Sequence, residues 1–338
     1  MTHNPNVIAG YILPGLPHPV LCPDANPGYR KLRDGFEQVR QEIENSDADM
    51  ILIYSTMWAS VLGHQVQARS QLTWKHVDDD FHHLGTIPYT FTFHHEFAKK
   101  YVQAGNQRGL HMKLVDYHGF PVDTGSVVAL KLLNPNNRIP ASIVSSNVYS
   151  DRAETVVLGK AALDALKAEN KKAIVICIST LSNRLHQTWL DPHQDKIHSL
   201  KDNEWNLKML EFFSEGRLED LSQLSRQIQR EARVKKVNNF KPLWWMSAVM
   251  GSHNRYSGKV LAYEPMHGAG CAIVSLKPSE FSALDLEFDE DSPNRYLGER
   301  NVLSDDASHL STHWKGATAK EFASDYTHDR TGEDGDDE

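Results

Sequence analysis

A chain of 338 residues and 38.2 kDa has the length for one large domain or two smaller ones. Its formal charge of −8, to which the closing GEDGDDE contributes five acids, argues against nucleic acid or an anionic membrane as main partner, since both need a basic face. Cys22, Cys177 and Cys271 are too far apart for a CxxC metal or redox pair, and no apolar run nears the roughly 20 residues that cross a bilayer. With no N-terminal signal segment either, a cytoplasmic protein is expected.

Val7 to Leu13 reads as the first strand and runs into the stiff loop Pro14-Gly15-Leu16-Pro17-His18-Pro19. Tyr29 to Asn45 is a helix, with Leu32, Phe36, Val39 and Ile43 on one face. Met50 to Tyr54 is a short, bulky apolar run, the signature of a parallel strand buried on both faces. Ligands bind beyond the carboxyl ends of such strands, where Met57, Trp58 and His64 fall. Strand, helix, strand implies a parallel crossover.

Gln65 to His83 reads as polar and irregular. A strand over Ile87–Phe93, a helix over His94–Gln107 and a strand over His111–Val115 follow. The turn-rich stretch Asp116–Gly125 comes next, crowded with side chains able to bind something, and Ser126–Leu133 continues as helix or strand. Ala141–Ser145 is a strand, Arg152–Asn170 a helix, and Ala173–Ile178, AIVICI, the clearest strand. Helices are predicted over Asp202–Phe213, Leu218–Lys236 and Leu243–Met250, then a hairpin from Val260–Tyr263 and Cys271–Leu276. After Pro278 acids and small polar residues dominate, so 279–338 reads as a poorly ordered extension. The alternation implies one α/β domain over 1–278, a mostly parallel sheet flanked by helices.

Among 18 histidines, His18, His64 and His186 lie with Asp123 after four separate predicted strands. A mononuclear iron or zinc site needs such groups to converge. The plainer reading makes each a loop residue facing water or a backbone carbonyl. The pairs His82-His83 and His94-His95 splay apart and rarely chelate one ion. HExxH, GxGxxG, a P-loop and a GxSxG elbow are all missing, so nucleotide binding and serine catalysis have no support. Trp244-Trp245-Met246 read as core or a subunit contact, and Trp58, Tyr117 and Phe120 as wall of an aromatic pocket or as packing.

The ordered motifs IAGYILPGLPHP (8–19), ILIYSTMW (51–58), VDYHGFPVDTG (115–125), ISTLSNR (178–184) and REARV…WWMSAVMG (230–251) resemble the class III extradiol dioxygenases, the LigB-like superfamily. Within it they are most similar to the 2-aminophenol 1,6-dioxygenase group, and the resemblance covers about 8–276. It implies one Fe(II) on two His and one Glu, with a further His as acid or base. The matching positions here are Gly15 and Met57 for the ligands and Asn183 for the acid/base. No acid stands between Arg233 and Asn239, and Glu231 lies about a turn earlier.

The resemblance therefore implies an iron-free chain paired with an iron-bearing homologue in a hetero-oligomer. Gly15, His18, Met57, Trp58, Tyr117, Asp123, Thr124 and Asn183 would line the vestigial pocket. Two rivals stand beside it. One is a stand-alone enzyme with a displaced metal site on His18, His64, His186 and Glu231. The other is a small-molecule binding module in which Gly15 and Met57 enlarge the old pocket and Trp58, Tyr117 and Asn183 hold an aromatic ligand. Self-association is open in each case.

Overall fold

The molecule is organised around β2 (Met50–Ser60), in a computed structural model that describes residues 5–218, 220–222, 240–251 and 256–279. Met50, Leu52 and Tyr54 point into one apolar cluster, and Ile51 and Ile53 into another on the opposite face. A strand alternates its side chains, so burial of both sets requires helices on both sides of the sheet.

That sheet also holds β1 (Val7–Leu13), β3 (His64–Gln67), β6 (Met112–Val115), β7 (Ala141–Asn147), β8 (Ala173–Ile178), β9 (Tyr256–Met266) and β10 (Ala269–Pro278). The eight strands run in the order β6-β3-β7-β2-β8-β1-β10-β9. β7, β2, β8 and β1 are mutually parallel and form the core. β10 pairs antiparallel with β1 and, as expected, with β9. A separate ribbon joins β4 (Gln71–His76) and β5 (Ile87–Thr92).

Seven α-helices with both ends among the described residues complete the layers: α1 (His18–Leu21), α2 (Pro27–Glu44), α3 (His95–Gln107), α4 (Thr124–Leu133), α5 (Arg152–Ala168), α6 (Leu200–Ser214) and α7 (Lys241–Met250). Side chains of α2 and α4 fill the Ile51/Ile53 side, and those of α3, α5, α6 and α7 the Tyr54 side. Their starts are written locally. The side chains of Asn26, Asp123, Asp151 and Ser199 each accept a backbone N–H of the first turn that follows.

The parallel relation expected of β1 and β2 holds, with β8 lying between them and paired with both. Two expectations need correction. β2 does not stop at Tyr54: after a bulge between Ser55 and Ala59 it stays paired with β7 to Ser60. Ser55, Thr56 and Ser60 are buried there, which ended the apolar run without ending the strand. Gln65–His83 is not irregular, since it holds most of β3 and all of β4. Glu231, most of the helix expected over Leu218–Lys236 and the extension after 279 lie outside the described residues.

Candidate functional site

The carboxyl ends of β1, β8 and β2 meet at Gly15, Ile178 and Met57. Gly15 is buried, and a Cβ on it would sit 2.7 Å from Ile178 Cγ2 and 2.8 Å from Gly125 Cα, with Met57 Sδ closer still. A Cβ on Gly125 would in turn meet Met57 Sδ at 3.0 Å and Gly15 Cα at 3.3 Å. Real Cβ atoms do not approach backbone as closely as 2.8 Å, so position 15 requires glycine, and at position 125 a Cβ would clash with the Ile178 side chain. Two glycine backbones and Ile178 thus close around the Met57 thioether. Met57 as a whole nevertheless remains 37% exposed.

The run before α4 holds this closure in place. Asp123 Oδ1 accepts the Ser55 hydroxyl at 2.7 Å and the Ser126 N–H at 3.0 Å, tying β2 to the helix start. Thr124 donates its hydroxyl to Asp78 Oδ2 at 2.6 Å and lies 2.7 Å from His76 Nε2, which as N–H donates to it. The Thr56 hydroxyl donates to Ile178 O at 2.9 Å. Trp58 is buried against Phe120, 5.5 Å between ring centres, whereas Tyr117 is exposed. Asn183 is buried just past β8, on a segment held by Leu181 N–H to Gly270 O and Gly270 N–H to Ser182 O.

His18 is buried on α1 with its ring edge-on to Tyr29 (5.0 Å) and Phe81 (4.7 Å). Burial, reinforced by His267 and His83, pushes its pKa down to about 3, so the imidazole is neutral near pH 7. Phe81 and His186 both adjoin the His267 ring, and His186 stacks on His198. His18 and His186 therefore share a neighbourhood.

His64 belongs elsewhere. Its Nε2 lies 2.9 Å from Glu154 Oε1 of α5, on the Tyr54 side of the sheet. β3 is four strand positions from β1, on the order of 19 Å at the usual spacing. Among the described residues, no group of three or more His, Cys, Asp or Glu could hold a metal ion. The displaced set His18, His64 and His186 is not assembled.

Sequence reasoning missed the partners at this second place. Lys241 is 1% exposed and donates to Asn147 O at 2.6 Å and Val148 O at 3.0 Å. Burial pushes its pKa down to about 8, against the attraction of Glu154 and Asp151. The one signal was a lysine opening an otherwise apolar helix, KPLWWMSAVM. Glu154 stands in the first turn of α5, a usual place for an acid.

An iron held by two imidazoles and a carboxylate needs donors that these positions do not supply. Gly15 has none, Met57 offers a soft thioether already packed between backbones, and Asn183 offers an amide. A histidine at 15 would have to displace Gly125 backbone. The residues present do not fit that metal, and no chemical step is derived through it.

The matches to known proteins agree with this architecture. Residues 11–274 match the family model described as the catalytic LigB subunit of aromatic ring-opening dioxygenase. The chain is 27% identical over 269 residues to a 2-aminophenol 1,6-dioxygenase alpha subunit of a Pseudomonas species, covering 79% of this chain and 98% of that one. It is 28% identical over 289 residues to a beta subunit of the same enzyme, also from Pseudomonas, covering 80% and 94%. An uncharacterised protein of Escherichia coli K12 shares the fold at 13% identity and a TM-score of 0.55, over 79% of this chain and 99% of that one. The chain belongs to the LigB family of aromatic ring-opening dioxygenases. No helix among the described residues is long and apolar enough to cross a membrane.

Proposed function

We propose that this chain is an iron-free subunit of an aromatic ring-cleaving dioxygenase, supporting a homologous iron-bearing subunit that acts on 2-aminophenol- or catechol-like substrates. The carrying observation is the closure of Gly15 and Gly125 around Met57, which puts packing where the family's chemistry needs imidazole. The similarity to both an alpha and a beta subunit of one enzyme supports a partner of the same fold. Free thiols at Cys22, Cys177 and Cys271 fit work in the cytoplasm.

The test is metal content of the chain purified alone and co-expressed with an iron-bearing LigB homologue, alongside oxygen uptake on 2-aminophenol and catechol. The expected result is an inert chain without stoichiometric iron, and activity that co-purifies with the pair. Near one equivalent of iron with oxygen uptake by the lone chain would overturn the reading. Glu231 and the histidines would then need mutation one by one.

A further inference from the structure

From Met50 to Gly63 no side chain carries charge. Up to Tyr54, burial on both faces explains this. Beyond the bulge it does not. Met57, Ala59 and Val61 point outward at two-residue spacing, and Leu62 follows in the connection that leads from β2 to β3. Val61 is 55% exposed and Leu62 66%.

Tyr149, 55% exposed, lies beside them, since the neighbouring Val148 N–H donates to Ser60 O at 2.9 Å. At the other end Val77 is exposed between His76 and Asp78, the two residues bonded to Thr124 next to Gly125. Exposed apolar residues thus gather along the carboxyl edge in a stripe that begins at Met57, 37% exposed beside Gly15 and Gly125.

Solvated connections take Gly, Asn, Asp, Ser or Pro, each for a backbone reason, and Val61-Leu62 answers none of those reasons. Contiguous exposed apolar surface marks an interaction site, and charge depletion with Met and Tyr enrichment marks the core of an interface. We infer that this stripe is the docking surface for a homologous LigB-family chain that carries the metal. The inference rests on the subunit reading above and adds the face used.

Two observations select this occupant. The relatives that this chain matches over nearly their whole length are the alpha and beta subunits of one two-subunit enzyme, so the partner shares this fold and has a carboxyl edge of its own. The stripe also begins at Met57, whose thioether adjoins Gly15 and Gly125 where the strand ends meet, so docking sets this chain's carboxyl edge against the neighbour's.

The test uses the full chain co-expressed with an iron-bearing LigB-family chain of the same genome. Wild type is compared with the double variant Val61→Asp/Leu62→Asp and with Leu207→Asp, an exposed position on α6 away from the stripe. Expected is at least a roughly tenfold weaker complex for the double variant, about 1.4 kcal/mol. Unchanged circular dichroism and melting of the lone double variant would accompany that loss, and the α6 variant should bind as wild type. A complex that survives the double variant overturns the docking face and leaves the subunit reading standing. Loss of a homodimer instead overturns the choice of occupant. A wild-type chain that binds no homologue and carries iron alone overturns both.

Discussion

Two places along one sheet edge have solved the same problem in opposite ways. At the ends of β1, β8 and β2 no ionisable side chain takes part, and Gly15, Gly125, Ile178 and the Met57 thioether lie against one another. At the end of β7 and the start of β3 the ionisable groups remain, but each is spent on a partner. His64 meets Glu154, and Lys241 takes two carbonyls. Titratable side chains in a family of enzymes are thus not evidence of a reactive site. A buried ionisable group held by partners is a structural element, and removing one partner leaves the other uncompensated.

The largest predicted effect comes from that second place. Lys241→Met leaves Asn147 O, Val148 O and the Glu154 carboxylate without their cation, and should cost roughly 3–5 kcal/mol in urea unfolding. The pH profile sharpens the assignment. A lysine at about 8 in the folded chain against 10.5 unfolded means that the unfolded state binds more protons in this window. Wild-type stability should therefore gain a contribution as pH rises from about 8 to 10.5, and the Met variant should lack that rise. If both profiles are parallel there, the ammonium is not held as described.

The first place responds to overfilling. Gly15→His forces Cβ against Ile178 and the Gly125 backbone, and should destabilise by roughly 1–3 kcal/mol. Adding Met57→Ala should return part of the loss but not all, because Gly125 Cα stays 2.8 Å from the new Cβ position. Full recovery in the double variant would mean that Met57 alone closes the pocket. Stoichiometric iron uptake by Gly15→His would break the contrast between the two places.

These two places also show what the sequence made legible. AIVICI could be read as β8 at its observed bounds, because apolar periodicity and burial coincide there. Motif order singled out Gly15, Met57 and Asn183 as positions to inspect. That the Met57 thioether lies beside Gly15 was not visible, since 41 residues and a bulge separate the two in the chain. Nor was the His64–Glu154 contact, 90 residues apart in the chain. Spacing reports local periodicity, whereas pairing across a parallel sheet is set by strand order. That order places β8 between β1 and β2.

A smaller effect tests His18 near the first place. Its folded pKa of about 3 lies below the unfolded 6.5, so its contribution to stability is complete above pH 6.5 and is lost as pH falls toward 3. The slope approaches about 1.4 kcal/mol per pH unit inside that window. His18→Phe should flatten the acid limb of a urea-midpoint profile by up to this slope and leave the profile above pH 7 unchanged in shape. An unaltered acid limb would mean that the ring reaches water on protonation.

The smallest effect concerns the tie between β2 and α4. Ser55→Ala removes one hydroxyl donor from Asp123 Oδ1 but leaves the helix cap to Ser126 N–H in place. The cost should be about 1 kcal/mol, read as a lower melting temperature. Asp123→Ala removes both bonds and should cost more than Ser55→Ala. In the double variant the two losses should fail to add, because the Ser55 bond no longer exists once Asp123 is gone. Additive losses would mean that Ser55 stabilises the bulge through Met57 N–H, 3.3 Å from its oxygen, and not through the helix. The closure around Met57 would then be set by β2 alone.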